Sequence, residues 1–154
     1  MKYFFDTEFI EDGKTIDLIS IGIADEDGRT YYAEAGGCDY SRASSWVKKH
    51  VLPKLDGRLV SRYKISSDIV SFVGEDPEFW AYFADYDWVV LCQLYGTMMD
   101  LPETWPKYCL DLKQMVHMLG NPSLQRPEGG DHNALADAIW VRDTYRHLTR
   151  FQDK

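Results

Sequence analysis

The sequence predicts an α/β fold: a mixed β-sheet whose first three strands run antiparallel, continued by β-α-β units, with helices on both faces. Two observations carry this. Residues 16–25 form a long β-branched run closed by the hairpin signal Asp27-Gly28. After residue 40, short apolar segments alternate with segments of helical spacing that begin at capping residues and end at Gly or Pro.

Taken in order, residues 2–7 form a short first strand. Residues 16–25 form the second, with Ile19, Ile21 and Ile23 expected on one face and Leu18 on the other, so that both faces are buried. Arg29 to Ala35 is the returning third strand. A helix is expected from Ser41 to Leu52, with Trp46, Val47 and Val51 as its apolar stripe and Pro53 as its stop. A short helix follows from Ser67 to Val73, with Ser67 as N-cap. Glu78 to Phe83 is an aromatic-rich fourth strand, and Asp85 is expected to cap a helix from Tyr86 to Tyr95. A short strand near Tyr108 to Leu110 leads to Asp111, an N-cap for a helix ending at Gly120. Residues 121–131, with the pair Gly129-Gly130, form an irregular loop before a last helix from Asn133 to Phe151.

The chain has 154 residues, 45% of them hydrophobic and 14% aromatic, which suits one domain over residues 1–154 rather than a disordered chain. No run approaches the roughly 18 apolar residues of a membrane span, and the start lacks a signal-peptide pattern, so a cytoplasmic protein without membrane contact is expected. Cys38, Cys92 and Cys109 form neither a C-x-x-C pair nor a zinc spacing, and free buried thiols are expected. The net charge of −8 weighs against extensive non-specific phosphate binding. It is compatible with a small substrate footprint or with carboxylates neutralised by metal.

Three constellations carry chemistry. Asp6-Thr7-Glu8 places two carboxylates two residues apart on a strand, on one side of the sheet. Close carboxylates repel unless a cation lies between them, and a hard divalent ion is the natural neutraliser. The bland reading is an exposed acidic turn, since D-x-E is common by chance. His132 and Asp137 lie five residues apart, so a regular helix would separate them by about 140°. They meet only if His132 sits in the loop and Asp137 in the first turns of the helix, an arrangement that suits a general base beside a metal ligand. The alternative has Asp131 as the cap and His132 as a surface residue. Asp85-Tyr86-Asp87-Trp88 stands where a strand hands over to a helix. With Asp85 as the cap, Asp87 lies in the first turn, although the helix dipole alone would also favour acids there.

Together and in this order, D-x-E on the first strand, Tyr86-Asp87 opening a middle helix and His132-x-x-x-x-Asp137 opening the last helix resemble the DEDDh 3′→5′ exonuclease superfamily. The resemblance runs from residue 3 to about residue 145. Its nearer side is with the mycobacterial-type bacterial and phage exoribonucleases, and more distantly with RNase T and oligoribonuclease. Four phrases carry it: residues 3–13, residues 18–22, Trp46 to Leu55, and Tyr86 to Gly96. The resemblance implies an RNase H-like fold and hydrolysis of single-stranded RNA from its 3′ end to nucleoside 5′-monophosphates. By the same carry-over, Asp6, Glu8, Asp87 and Asp137 would hold two Mg²⁺ or Mn²⁺ ions, and His132 would deprotonate the attacking water.

Two departures stand out. Many members have Asn four residues before the middle Asp, where this chain has Phe83, and Thr-Gly after the first acids, where it has Phe9-Ile10. Phe9 or Ile10 is a candidate for packing against a substrate base, or for ordinary core. His50, His117 and His147 match no catalytic motif. Arg58, Arg62 and Lys64, or the stripe Arg142, Arg146 and Arg150, are candidates for gripping RNA or for solvated faces. The resembled families are often homodimers. Competing readings are a single-stranded DNA exonuclease, a catalytically silent nucleic-acid-binding module on the same fold, and a small-molecule metallohydrolase.

Overall fold

The structure, a computed structural model, describes residues 1–128 and 132–150. The Gly129-Gly130 pair, the Asp131 cap reading and the expected helix end at Phe151 lie outside the described residues.

Six strands form one sheet in the order β4-β3-β2-β1-β5-β6. They are β1 (Lys2–Glu11), β2 (Ile16–Asp25), β3 (Thr30–Ala35), β4 (Leu59–Val60), β5 (Glu78–Ala81) and β6 (Leu110–Asp111). The first three pair antiparallel as expected, and the other pairings are parallel. The hairpin between β2 and β3 is closed by Asp25, whose Oδ1 accepts the N–H groups of Asp27, Gly28 and Arg29. The helices are α1 (Ser45–His50), α2 (Arg62–Val73), α3 (Ala84–Gln93), α4 (Leu112–Met118) and α5 (Ala134–Thr149). None of the described helices is long and apolar enough to cross a membrane.

Both faces of the sheet are covered. Tyr3 and Phe5 of β1 pack with Ile65, Ile69 and Val73 of α2 and with Val90 and Leu91 of α3. Phe4, pointing the other way, packs with Leu112 and Val116 of α4 and with Trp140 and Val141 of α5. β1 is longer than the expected 2–7, and its pairing with β2 shifts register between Glu8 and Phe9, where Glu8 opposes Ser20 and Phe9 opposes Leu18. Ile19 is the extra residue of this bulge. Strict alternation therefore fails: Leu18 joins Ile21 and Ile23, whereas Ile19 packs with Ile10, Ala43 and Val51.

Other boundaries also move. The expected Ser41–Leu52 helix is broken into α1 and two flanking 3₁₀ turns, Tyr40–Arg42 and Leu52–Lys54, because Asp39 and Ser44 each cap a separate start. Val51 is buried, but Trp46 is 49% exposed and does not join the stripe. Helix α2 begins at Arg62 with Ser61 as its cap, not at Ser67, since only a helix running from there seats Ile65, Ile69 and Val73 on one buried face. The two-residue strand β4 has no signal in the sequence; it exists because it borders the β3 edge at Glu34 and Ala35.

Helix α5 lies across β1 and β2 and depends on Gly22. A β-carbon there would collide with the backbone of Ala134 and Leu135, so the first turn of α5 rests directly on the β2 backbone. Gly22→Ala is expected to push α5 away and cost about 1–3 kcal/mol, seen as a fall of several degrees in Tm. An unchanged Tm would show that this approach is not a constraint.

Candidate active site

The first pair of acids is placed by strand geometry. Asp6 and Glu8 extend from the β1 face that carries Phe4, toward α5. Asp6 is paired in register with Gly22, which brings it beneath the start of α5. Asn133 caps α5 by accepting the Ala136 N–H at 3.0 Å, and Asp137 lies in the first turn. One oxygen each of Asp6, Glu8 and Asp137 can be chosen so that all lie within 4.8 Å of one another. Residues 131 positions apart in the chain are thus joined by one contact between a strand and a helix.

Asp87 arrives from the other flank. Pairing of β1 with β5 stops at Phe4 opposite Trp80, which leaves the Thr7 amide without a strand partner on that edge. Asp87, 5% exposed in the first turn of α3, fills that gap: its Oδ1 accepts the Thr7 N–H at 2.9 Å and the Thr7 hydroxyl. It is not one of the three tightly grouped acids, but it lines the same cleft of about 590 Å³. His132 lies outside the helix, with a left-handed backbone (φ 67°), and its N–H donates to Asp137 Oδ2 at 2.9 Å. Its ring also lines the cleft and meets Trp46 edge-on at a centroid distance of 4.5 Å. The loop position expected for His132 is the observed one.

The expected cap of α3 is not. Phe83 is the N-cap, in a left-handed conformation (φ 58°) that leaves it 61% exposed, and Asp85 makes no cap. The capping carboxylate comes from Asp111, which accepts the N–H groups of Phe83 (3.1 Å) and Ala84 (3.3 Å) while capping its own helix through Lys113 (2.7 Å). A carboxylate brought by β6, adjacent to β5 in the sheet, displaces the local one. Asp111 thereby anchors the turn that aims Asp87.

The electrostatics are those of crowded, dehydrated like charges. Burial pushes Glu8 up to about 8, reinforced by Asp137 and Asp87 and opposed by Lys54. Burial also pushes Asp87 up to about 7, against the two Thr7 hydrogen bonds. Asp6 is raised well above the ordinary carboxylate range, by burial first and then by Asp87, Glu8 and Asp137. Hard oxygen donors that repel one another fit a hard divalent cation such as Mg²⁺ or Mn²⁺.

Around the acids, Phe9 lines the cleft and contacts Tyr86 edge-on at 5.8 Å. Ile10, the other candidate for a base contact, is 1% exposed and packed with Ile19, Ala43 and Val51; it is core, because the strand turns it toward α1. None of the basic candidates lines the cleft. Arg58 pairs with Asp56, Arg62 with Asp17, Lys64 with Asp68, and Arg142 and Arg146 with Asp143. Sequence reasoning missed Thr7, Trp46 and Arg126, whose Nη1 lies 3.1 Å from Asp137 Oδ1. Nothing local marks them, since each matters through a partner distant in the chain.

The family profile described as "3'-5' exoribonuclease Rv2179c-like domain" matches residues 1–149. The chain is 45% identical over 161 aligned positions to the 3'-5' exoribonuclease Rv2179c of Mycobacterium tuberculosis (strain H37Rv), covering 99% of this chain and 96% of the relative. The 3'-5' exoribonuclease MT2234.1 of strain CDC 1551 matches to the same extent. Among solved structures, a zinc-bound E. coli ExoI–ssDNA complex superposes with a TM-score of 0.69 at 11% identity, over 99% of this chain and 41% of that one. A chain in the structure of the yeast NOT1 MIF4G domain co-crystallized with CAF1 gives 0.60 at 12% identity, over 98% of this chain and 79% of that one. These structural likenesses are likenesses of fold, and the RNase H-like fold expected from the sequence is the one found.

Asp111→Ala is expected to cost about 1–2 kcal/mol in chemical denaturation by uncapping two helices, whereas Asp85→Ala stays within about 0.5 kcal/mol. The reverse ranking would restore Asp85 as the cap. For pH, the folded-state values of Glu8 and Asp87 lie above their ordinary 4.5 and 3.8. Protonated carboxyls therefore stabilise the fold at low pH, and that contribution is lost as pH rises through about 7 to 8. Tm in EDTA is expected to fall from about pH 5 to about pH 8.5, and Mn²⁺ is expected to raise it most at the alkaline end, where the ligands are deprotonated. A flat profile without response to metal would overturn this account.

Proposed function

The chain belongs to the family of 3′-5′ exoribonuclease Rv2179c-like domains, and from that premise we propose that residues 1–154 form one metal-dependent exonuclease domain that degrades single-stranded RNA from its 3′ end to nucleoside 5′-monophosphates. The observation that carries the proposal is the convergence of Asp6, Glu8 and Asp137 on one point, in a cleft that also holds Asp87 and His132.

In this reading Asp6, Glu8, Asp87 and Asp137 would hold two divalent cations, Mg²⁺ or Mn²⁺. Bound cations lower the pKa of a water and neutralise charge on the attacking and leaving oxygens. The protein's own contribution is positional. Thr7 fixes one oxygen of Asp87 by two hydrogen bonds. The seat of α5 on Gly22 fixes Asp137 against Asp6. His132 is the general base that takes the proton of the attacking water, and its position in the turn before α5 keeps the imidazole beside, rather than within, the carboxylate group. Phe9, with Tyr86 behind it, offers a ring face or edge for the terminal base. The free thiols Cys38, Cys92 and Cys109 suit a reducing compartment, and we place the activity in the cytoplasm on that basis. A homodimer, expected from the resemblance, belongs to the same proposal and is read by light scattering.

The test uses 3′-labelled and 5′-labelled single-stranded RNA and DNA with Mn²⁺, Mg²⁺ or EDTA. Release of mononucleotides from the 3′ end of RNA, with metal only, is expected. Asp6→Asn and His132→Ala are each expected to lower kcat by about 10²-fold or more. RNA left intact with every metal would reject the proposal, activity in EDTA would reject its metal dependence, and degradation of DNA alone would reassign the substrate.

A further inference from the structure

An acidic cleft must still admit an anionic strand. Among the described residues that line it there is one guanidinium or ammonium group, that of Arg126. Arg126 lies between α4 and α5, among residues 121–127, which form neither helix nor strand.

Its placement is built rather than incidental. The guanidinium carbon sits 3.9 Å above the Trp140 ring and 5.5 Å from the Tyr82 ring, so an aromatic wall supports the flat face of the group. Trp140 Nε1 donates to the carbonyl of Gln125 at 2.8 Å, which pins the backbone next to Arg126. Trp140 follows Asp137 by one helical turn, so α5 positions both the carboxylate and the platform for the arginine. The side chain keeps 37% of its surface exposed, and Nη1 lies 3.1 Å from Asp137 Oδ1, at the edge of the carboxylate cluster. A stacked guanidinium directs its N–H donors in its own plane, the geometry that matches phosphate oxygens in a fork.

We propose that Arg126 is a substrate-binding residue whose guanidinium, held against Trp140, takes a non-bridging phosphate oxygen of the RNA strand. This rests on the exonuclease reading above and extends it to the group that offsets the acidic wall. The pair with Asp137 has a second consequence. With Nη1 3.1 Å from Asp137 Oδ1, a phosphate held by Arg126 would neighbour a cation held by Asp137, and the arginine would draw the strand toward the carboxylates that otherwise repel it.

Binding and turnover together test this. In a His132→Ala background with Mn²⁺, the affinity for a fluorescein-labelled RNA oligonucleotide is measured by anisotropy between about 50 and 200 mM salt. Adding Arg126→Gln is expected to weaken binding about tenfold and to reduce the slope of log affinity against log salt by about 0.7, the loss of one phosphate contact. Arg126→Lys should keep the slope and recover part of the affinity, which also separates loss of charge from loss of fold. In the otherwise unaltered enzyme, Arg126→Gln should raise KM for RNA much more than it lowers kcat. An unchanged KM and salt slope in Arg126→Gln, with tighter Mn²⁺ binding as its one effect, would reduce Arg126 to a counterion of Asp137 and overturn the proposal. Failure of the unaltered protein to degrade RNA with any metal would instead reject the exonuclease reading itself.

Discussion

Five carboxylates line a cleft beside the middle of β1, and the mutual repulsion of four of them, Asp6, Glu8, Asp87 and Asp137, in a dehydrated setting is the constraint on which the site depends. Left to themselves, Asp6, Glu8 and Asp87 respond by holding protons, their affinities raised first by burial and then by neighbouring carboxylates, Asp137 among them in each case. A fold that tolerates this arrangement carries a local instability that a divalent cation would relieve. The cost is borne by the rest of the molecule: strong packing on both faces of β1 holds the acids where solvent alone would not keep them.

β1 does this by serving three neighbours at once. Its antiparallel partner β2 presents Gly22 opposite Asp6, and the missing side chain lets α5 approach to backbone contact. Its parallel partner β5 stops short, so the Thr7 amide turns to Asp87 for a hydrogen bond. The bulge beside Glu8 then re-aims the strand, burying Ile10 near α1 while Phe9 remains at the cleft. Asp111 completes the frame from the sheet edge, since one carboxylate caps the helices that follow both β5 and β6.

The net charge of −8 fits this picture better than composition alone suggested. Much of the basic side-chain complement is committed to ion pairs away from the cleft, as with Arg58, Arg62, Lys64, Arg142 and Arg146. In the proposed reading, a substrate held by metal-bound carboxylates, one arginine and a few aromatic rings would need only a short strand end, not a long basic track. Such a footprint suits action at a terminus.

Read alone, the sequence determined the α/β class and the antiparallel opening, which depend on local patterns, a β-branched run and an Asp-Gly turn. The clustered acids were named through the order of motifs that resembles the DEDDh exonucleases, since each motif by itself also fits an acidic turn or a helix cap. The sequence required His132 to stand outside the helix if it was to share a site with Asp137, because 3.6 residues per turn sets His132 and Asp137 about 140° apart on a regular helix. Only the tertiary structure decided the rest. Asp111 displaced Asp85 as the cap of α3 because β6 lies beside β5. Ser61 displaced Ser67 because Ile65 had to be buried. Strand β4 formed because an edge was there to pair with. Ile10 went to the core and Arg126 came to the cleft because a bulge and a tryptophan one turn beyond Asp137 put them there. Each of these outcomes depends on a partner distant in the chain, and local propensity carries no information about such partners.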